Sequence, residues 1–207
     1  MTVYVESNFV VEHALQQEEY ESCDRIVRLA SRGSIELVIP AFSLAEPHLA
    51  IAGKEKVRNR LSHDLRTHLA ELGRSRRHRE IPARFENLAS VLIASARGER
   101  DGLRETITHL LRCAQIIALD TPVLKLASDV EERYGLSGQD SIVLASVLSD
   151  LEARHPRESC FLNRNSKDFD DPGILEGLEA LGCRFFPRFG EGLRYISSRL
   201  AAEDLSG

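Results

Sequence analysis

Four carboxylates, Glu6, Glu46, Asp140 and Asp168, stand where short apolar segments end or a helix begins. Glu6 closes Thr2-Val3-Tyr4-Val5, and Glu46 follows the strand-like Ile35–Ile39. Asp140 opens a helix after Leu136-Ser137-Gly138, and Asp168 follows Cys160-Phe161-Leu162. If those segments are parallel strands, their C-terminal ends share one sheet edge, where open α/β folds bind ligands. Two carboxylates about 4 Å apart repel by roughly 4 kcal/mol at an effective dielectric near 20. Such a cluster holds a proton, splays apart or gathers a cation. Oxygen-only ligands suit Mg²⁺ or Mn²⁺. An ion held there points to metal-assisted hydrolysis of a phosphodiester. None of the seven histidines falls in an H-E-x-x-H pattern, which disfavours a zinc hydrolase. Phosphate-cradling glycine motifs and a G-x-S-x-G elbow are absent.

Each acid also has an ordinary explanation. Glu6 could be a solvated residue beyond a strand. Ser43-Leu44-Ala45-Glu46 has capping-box spacing, with Pro47 then in the tolerant first turn. Asp140 could cap the helix that follows it. Asp168 lies in Asn165-Ser166-Lys167-Asp168-Phe169-Asp170-Asp171-Pro172, rich in turn formers.

The elements that would position these acids alternate. Thr2–Val5, Ile35–Ile39, Gln115–Leu119, Ser159–Leu162 and Cys183–Phe186 read as short buried strands. Helical patterns cover Ser22–Ser31, a segment from Thr121 to Gly135, Ser141–Ala153 and Pro172–Leu181. Thr121-Pro122 reads as N-cap plus first helical residue. Alternation predicts an α/β fold with a mostly parallel five-stranded sheet between two helical layers. Between Ile51 and about Cys113 no strand is evident. There Ala83–Ala96 and Leu103–Cys113 read as two helices, punctuated by Gly98 and Gly102. Residues 53–115 are therefore expected to be a helical insertion within a single domain spanning 1–207. Gly73–Arg79 reads as a flexible basic loop.

The chain has 207 residues, 43% hydrophobic and 29% charged, enough for a buried core. Its start lacks signal-peptide character, and no apolar run approaches a membrane span. Cys23, Cys113, Cys160 and Cys183 are scattered, as thiols of a reducing cytoplasm are. Net charge is −5, but unevenly spread. Lys54 to Arg84 holds ten Lys/Arg and four Asp/Glu, a balance of +6 against −11 elsewhere. Acids for a cation and bases for phosphate would suit an enzyme acting on a polyanion, although a solvated helix surface explains the basic stretch equally well.

Several of these segments resemble the PIN domain, a family of metal-dependent ribonucleases. The resemblance covers roughly residues 1–51 and 115–187. Val3-Tyr4-Val5-Glu6-Ser7-Asn8 resembles the family's opening strand, with Glu6 in place of the usual Asp. Ile39-Pro40-Ala41 through Leu44-Ala45-Glu46 is similar to its Glu-bearing helix. Tyr134-Gly135-Leu136-Ser137-Gly138-Gln139-Asp140-Ser141 is the most specific match. Phe161-Leu162-Asn163-Arg164-Asn165-Ser166-Lys167-Asp168-Phe169 resembles the fourth motif, with Asn163 and Asn165 replacing the more usual Thr/Ser and Asp. Gly182–Pro187 looks like the closing edge strand.

The resemblance implies a three-layer PIN-like fold with Glu6, Glu46, Asp140 and Asp168 catalytic. Glu6, Asp140 and Asp168 would hold Mg²⁺ or Mn²⁺, supported by Ser7, Asn8, Asn163 and Asn165. The implied activity is endoribonucleolytic cleavage. Arg74, Arg76, Arg77 and Arg79 would grip the RNA backbone, without reading sequence. An antitoxin protein and a homodimer are the partners such a family implies. The replacements at Glu6 and Asn165 leave an alternative, an inactive module that binds RNA or a protein.

Overall fold

The computed structural model of the protein describes residues 1–204. β1 (Thr2–Val5) leads into α1 (Ser7–Ala14) and α2 (Tyr20–Ser31). β2 (Glu36–Pro40) is followed by α3 (Ala41–Gly73) and α4 (Ile81–Cys113), then β3 (Ala114–Ile117). Next come α5 (Thr121–Tyr134), α6 (Gly138–Arg154), β4 (Ser159–Leu162) and the single-turn α7 (Ser166–Phe169). α8 (Pro172–Ala180), β5 (Cys183–Phe186) and α9 (Phe189–Asp204) complete the order.

The five strands form one sheet in the order β3-β2-β1-β4-β5. All four pairings are parallel, so the sheet is wholly rather than mostly parallel. Strand alternation divides the core between two faces. Val3, Val5, Leu37, Ile39, Cys160 and Leu162 pack toward α1, α2 and α9. Tyr4, Val38 and Phe161 pack toward α5, α6 and α8. β1 is central because both of its faces are apolar and completely buried at Val3, Tyr4 and Val5.

This strand order has a consequence for ligand binding. The chain builds outward from β1 through β2 to β3, then returns to the other side of β1 with β4. The reversal opens a crevice beyond the C-terminal ends of β1 and β4, the usual ligand position in such sheets.

Three of the expected strands have the bounds read from sequence, and two are displaced by one or two residues. The insertion region differs more. The expected break at Gly98 and Gly102 is not there; one helix runs from Ile81 to Cys113. Gly102 marks a close approach instead. A Cβ on it would lie 2.6 Å from the Ala14 carbonyl oxygen. Residues 53–113 thus fall on a long antiparallel helical hairpin. Its seam recurs at Ile51, Glu55, Arg58, Ser62, Leu65 and Leu69, a 3.5-residue spacing typical of paired helices. Ser62 Oγ donates to the Ala89 carbonyl at 3.0 Å, and Arg58 pairs with Glu99 at 2.6 Å.

Local caps also depart from expectation. Asp120, not Thr121, caps α5, its side chain accepting from the Val123 N–H at 3.0 Å. α3 starts at Ala41, so Pro47 is its seventh residue rather than part of its first turn. Its missing N–H leaves the Ser43 carbonyl without a helical donor. α1 and α9 were not read from sequence. Among the described residues, no helix is long and apolar enough to cross a membrane. All four cysteines are free thiols.

Candidate functional site

A cleft of about 540 Å³ opens at the crevice between β1 and β4. Glu6, Ser7, Asn8, Val11 and Glu12 line it from the end of β1 and from α1. Glu46 contributes from α3, Gln139, Asp140 and Val143 from α6, and Arg164 and Asn165 from the turn after β4. Gln17 closes the rim. Four carboxylates and one guanidinium therefore share a single space.

Glu6 lies directly after the central strand and is 4% exposed. Burial pushes its carboxyl up from 4.5 to about 7; the Asn8 N–H and the Ser7 hydroxyl oppose this, and nearby Glu46 adds to it. Its Oε1 is buried with no hydrogen-bond partner. Ser7 Oγ lies 2.8 Å from Glu6 Oε2 and also makes a short contact with Glu46 Oε2. A hydroxyl has one proton to donate. Ser7 Oγ thus bridges the two carboxyls, and its single proton serves one of them at a time.

Glu46 does not form the capping box its spacing suggested. α3 begins two residues before Ser43, whose buried Oγ has no partner, and Glu46 turns to Ser7 instead. Asp140 is not the cap of α6 either. Ser137 is: its Oγ accepts from the Asp140 N–H at 3.2 Å and donates to Asp140 Oδ2 at 2.6 Å. Asn165 Nδ2 donates to Asp140 Oδ1 at 3.2 Å, so both oxygens are oriented. Asn165 is in turn fixed by buried Asn163, whose Oδ1 accepts its N–H at 2.8 Å.

Two sets of sequence candidates lie elsewhere. Asp168 is exposed on α7 and is not among the residues lining the cleft. Asn165, three residues earlier, occupies that side. Arg74, Arg76, Arg77 and Arg79 sit in the turn between α3 and α4. From Glu46 to Gly73 the helix runs 27 residues, about 40 Å at 1.5 Å per residue. The basic turn is therefore remote from the cleft of its own chain.

Sequence reasoning missed Glu12 and Arg164. Glu12 is a carboxyl side chain only 2% exposed. Arg164 Nη1 meets its Oε2 at 2.5 Å, and the Glu19 N–H donates to its Oε1 at 2.5 Å. Arg164 also approaches Glu18 at 3.5 Å and Glu19 at 3.9 Å. The Glu19 carboxylate accepts from the Phe189 and Gly190 N–H groups at the start of α9. A lone acid inside the apolar run Phe9-Val10-Val11-Glu12 was the available signal.

The donor chemistry of the cleft is that of a hard divalent cation: carboxylates and amides, with the orphaned Glu6 oxygen among them. Among the described residues, no three acidic, histidine or cysteine side chains converge as a metal-holding group. An ion here would rest on two carboxylates and its own waters, a habit of Mg²⁺.

No family model matches the chain, and no curated protein is similar to it in sequence. The molecule is similar to a chain in the crystal structure of VapBC2 from Rickettsia felis bound to a DNA fragment from its promoter. The likeness covers 84% of this chain and 96% of that one, with a TM-score of 0.45 and 12% identity. At that level it carries neither fold nor chemistry across.

Proposed function

We propose that the cleft is the active site of a metal-dependent endoribonuclease. The observation that carries this reading is Glu6: a buried carboxylate with an orphaned oxygen, at the switch point of a parallel sheet, facing Glu46 and Asp140. Glu6 and Asp140 would hold Mg²⁺ or Mn²⁺, with Glu46 linked to Glu6 through Ser7. When bound, such an ion supplies Lewis acidity toward a phosphodiester and lowers the pKa of water. The chain's own residues set the geometry. Ser137 and Asn165 fix the Asp140 carboxylate. Arg164 pairs with Glu12 and, among the described residues lining the cleft, is the one cationic side chain. Asp168, on this reading, is not a ligand.

The absence of a three-carboxylate convergence among the described residues favours one other reading, a PIN-like module that binds RNA or a protein without cutting. Labelled single-stranded RNA with Mn²⁺, with Mg²⁺ and with chelator separates the two, with Asp140→Asn in parallel. The nuclease reading expects metal-dependent cleavage that Asp140→Asn abolishes. Binding without cleavage at every metal concentration overturns it.

A further inference from the structure

Arg164 belongs to two cavities. It lines the acidic cleft, and it also lines a second cavity of about 560 Å³ with Glu18, Glu19, Pro187 and Arg188. The sheet explains why two arginines meet there. β4 and β5 run parallel with Leu162 opposite Phe186, and the Asn163 N–H continues that ladder to the Phe186 carbonyl at 3.1 Å. Arg164 and Arg188 each lie two residues beyond those partners, at matched positions. On the other side of β4 stands β1, with Val5 opposite Leu162 and Glu6 next in the chain. Neighbouring strands are about 4.8 Å apart. The C-terminal edge of the sheet therefore carries Glu6 after β1, Arg164 after β4 and Arg188 after β5, over roughly 10 Å.

The two guanidinium groups are not fully committed. Arg164 has five N–H donors to place. Nη1 goes to buried Glu12 at 2.5 Å, which anchors the side chain. Nη2 approaches Glu18 at 3.5 Å and Nε approaches Glu19 at 3.9 Å. Glu19 is already engaged by the N–H groups that open α9. Glu18 is 86% exposed, so its contact with Arg164 contributes little in water. Arg188 is exposed and makes no ion pair among the described residues.

We propose that this second cavity is a backbone-phosphate subsite for single-stranded RNA, with Arg164 and Arg188 holding phosphates that lie outside the cleft. The inference rests on the nuclease reading of the cleft and adds the path of the substrate across the sheet edge. Arginine suits the task because its planar fork pairs with phosphate bidentately. Cationic side chains that track a backbone in this way bind single strands without reading their sequence. Glu18 rests on Arg164 in the empty protein, where a phosphate would displace it. The arginines of the α3–α4 turn, about 40 Å from Glu46, cannot serve this end of the substrate.

Binding of a labelled single-stranded RNA to the full-length protein, followed by fluorescence anisotropy against salt, tests this. It is measured in chelator and, in the Asp140→Asn background, in Mg²⁺. Arg188→Gln should remove one phosphate contact and flatten the slope of log K against log salt by about 0.7, roughly fivefold in affinity per tenfold in salt. Glu18→Gln should act the other way and tighten binding at least about twofold, because it clears Arg164. Arg32→Gln is the control for charge alone. Arg32 is exposed at the end of α2, ahead of β2 and so at the opposite edge of the sheet, and its loss should leave the slope unchanged. Wild type that binds RNA in neither condition overturns the inference. So does an Arg188→Gln slope equal to wild type, an equal effect from Arg32→Gln, or a Glu18→Gln that fails to tighten binding. RNA held through Arg188 but never cut by wild type in Mg²⁺ or Mn²⁺ would leave the subsite standing and overturn the nuclease reading instead.

Discussion

Glu6→Gln should stabilise the metal-free protein above neutral pH, and the size of the gain follows from the structure. In the folded chain the carboxyl titrates near 7, against 4.5 when exposed to water. Holding it ionised in the fold therefore costs about 3 kcal/mol, at 1.36 kcal/mol per pH unit. Between pH 4.5 and 7 the folded state binds more protons than the unfolded one. Wild-type stability from this group is thus full below about pH 4.5, falls as pH rises through 7, and is flat beyond. Gln has nearly the same shape and no proton to lose, so it lacks this fall. Relative to wild type, Glu6→Gln should gain about 3 kcal/mol between pH 4.5 and 8, whatever the offset at low pH. For a chain of this length that is roughly 6–12 °C in Tm. Thermal and urea unfolding of both proteins, in chelator and across that pH range, measures the difference directly. A gap that is the same at pH 5 and pH 8 would refute the reasoning, because Glu6 would then titrate alike folded and unfolded.

Asp140→Asn should abolish metal-dependent RNA cleavage while leaving urea stability within about 1 kcal/mol, since the helix cap belongs to Ser137. Arg164→Met leaves Glu12 buried and unpaired and should cost about 3 kcal/mol, most of it recovered by adding Glu12→Gln; a full cost in the double variant would show that packing, not charge, is at stake. Gly102→Ala drives a Cβ against the Ala14 backbone and should cost about 1–3 kcal/mol by urea unfolding, whereas Gly98→Ala, with open space around it, should be neutral or stabilising.

What was legible in the sequence was periodic and local. The strands are short apolar runs buried on both faces, and Val3, Tyr4 and Val5 announce that without tertiary information. The caps were harder because competing side chains sit one residue apart. Asp120 and Thr121 both precede Pro122, and only the extended backbone at Asp120 decides between them. Ser43 and Glu46 have capping-box spacing, yet Pro40 already starts the helix and takes Glu46 out of that role. The hairpin was obscured by glycine. Gly102 reads as a breaker locally, but the neighbouring α1 requires a residue without Cβ, which is a tertiary demand. Arg164 was read only as a spacer within a motif. Its meaning depends on Glu12, 152 residues away in sequence.

The placement of Glu6, rather than the number of acids, sets what the cleft can do. It follows the central strand of a parallel sheet, so α1 begins at Ser7 beside it and α3 at Ala41 after β2, while α6, which follows α5, brings Asp140 to the cleft in its first turn. Helix N-termini favour negative charge nearby. Burial nonetheless wins at Glu6, because desolvation is the largest influence on it and the adjacent N–H groups offset only part. The cleft is thus left with a charge that the helix ends and hydrogen bonds do not fully stabilise, and Glu6 takes up a proton near neutrality instead. A divalent cation would solve the same electrostatic problem by another means, ionising Glu6 and engaging its orphaned oxygen. Proton and cation would then compete for one position. The same substitution, Glu6→Gln, would therefore stabilise the empty protein and remove the cation's hold.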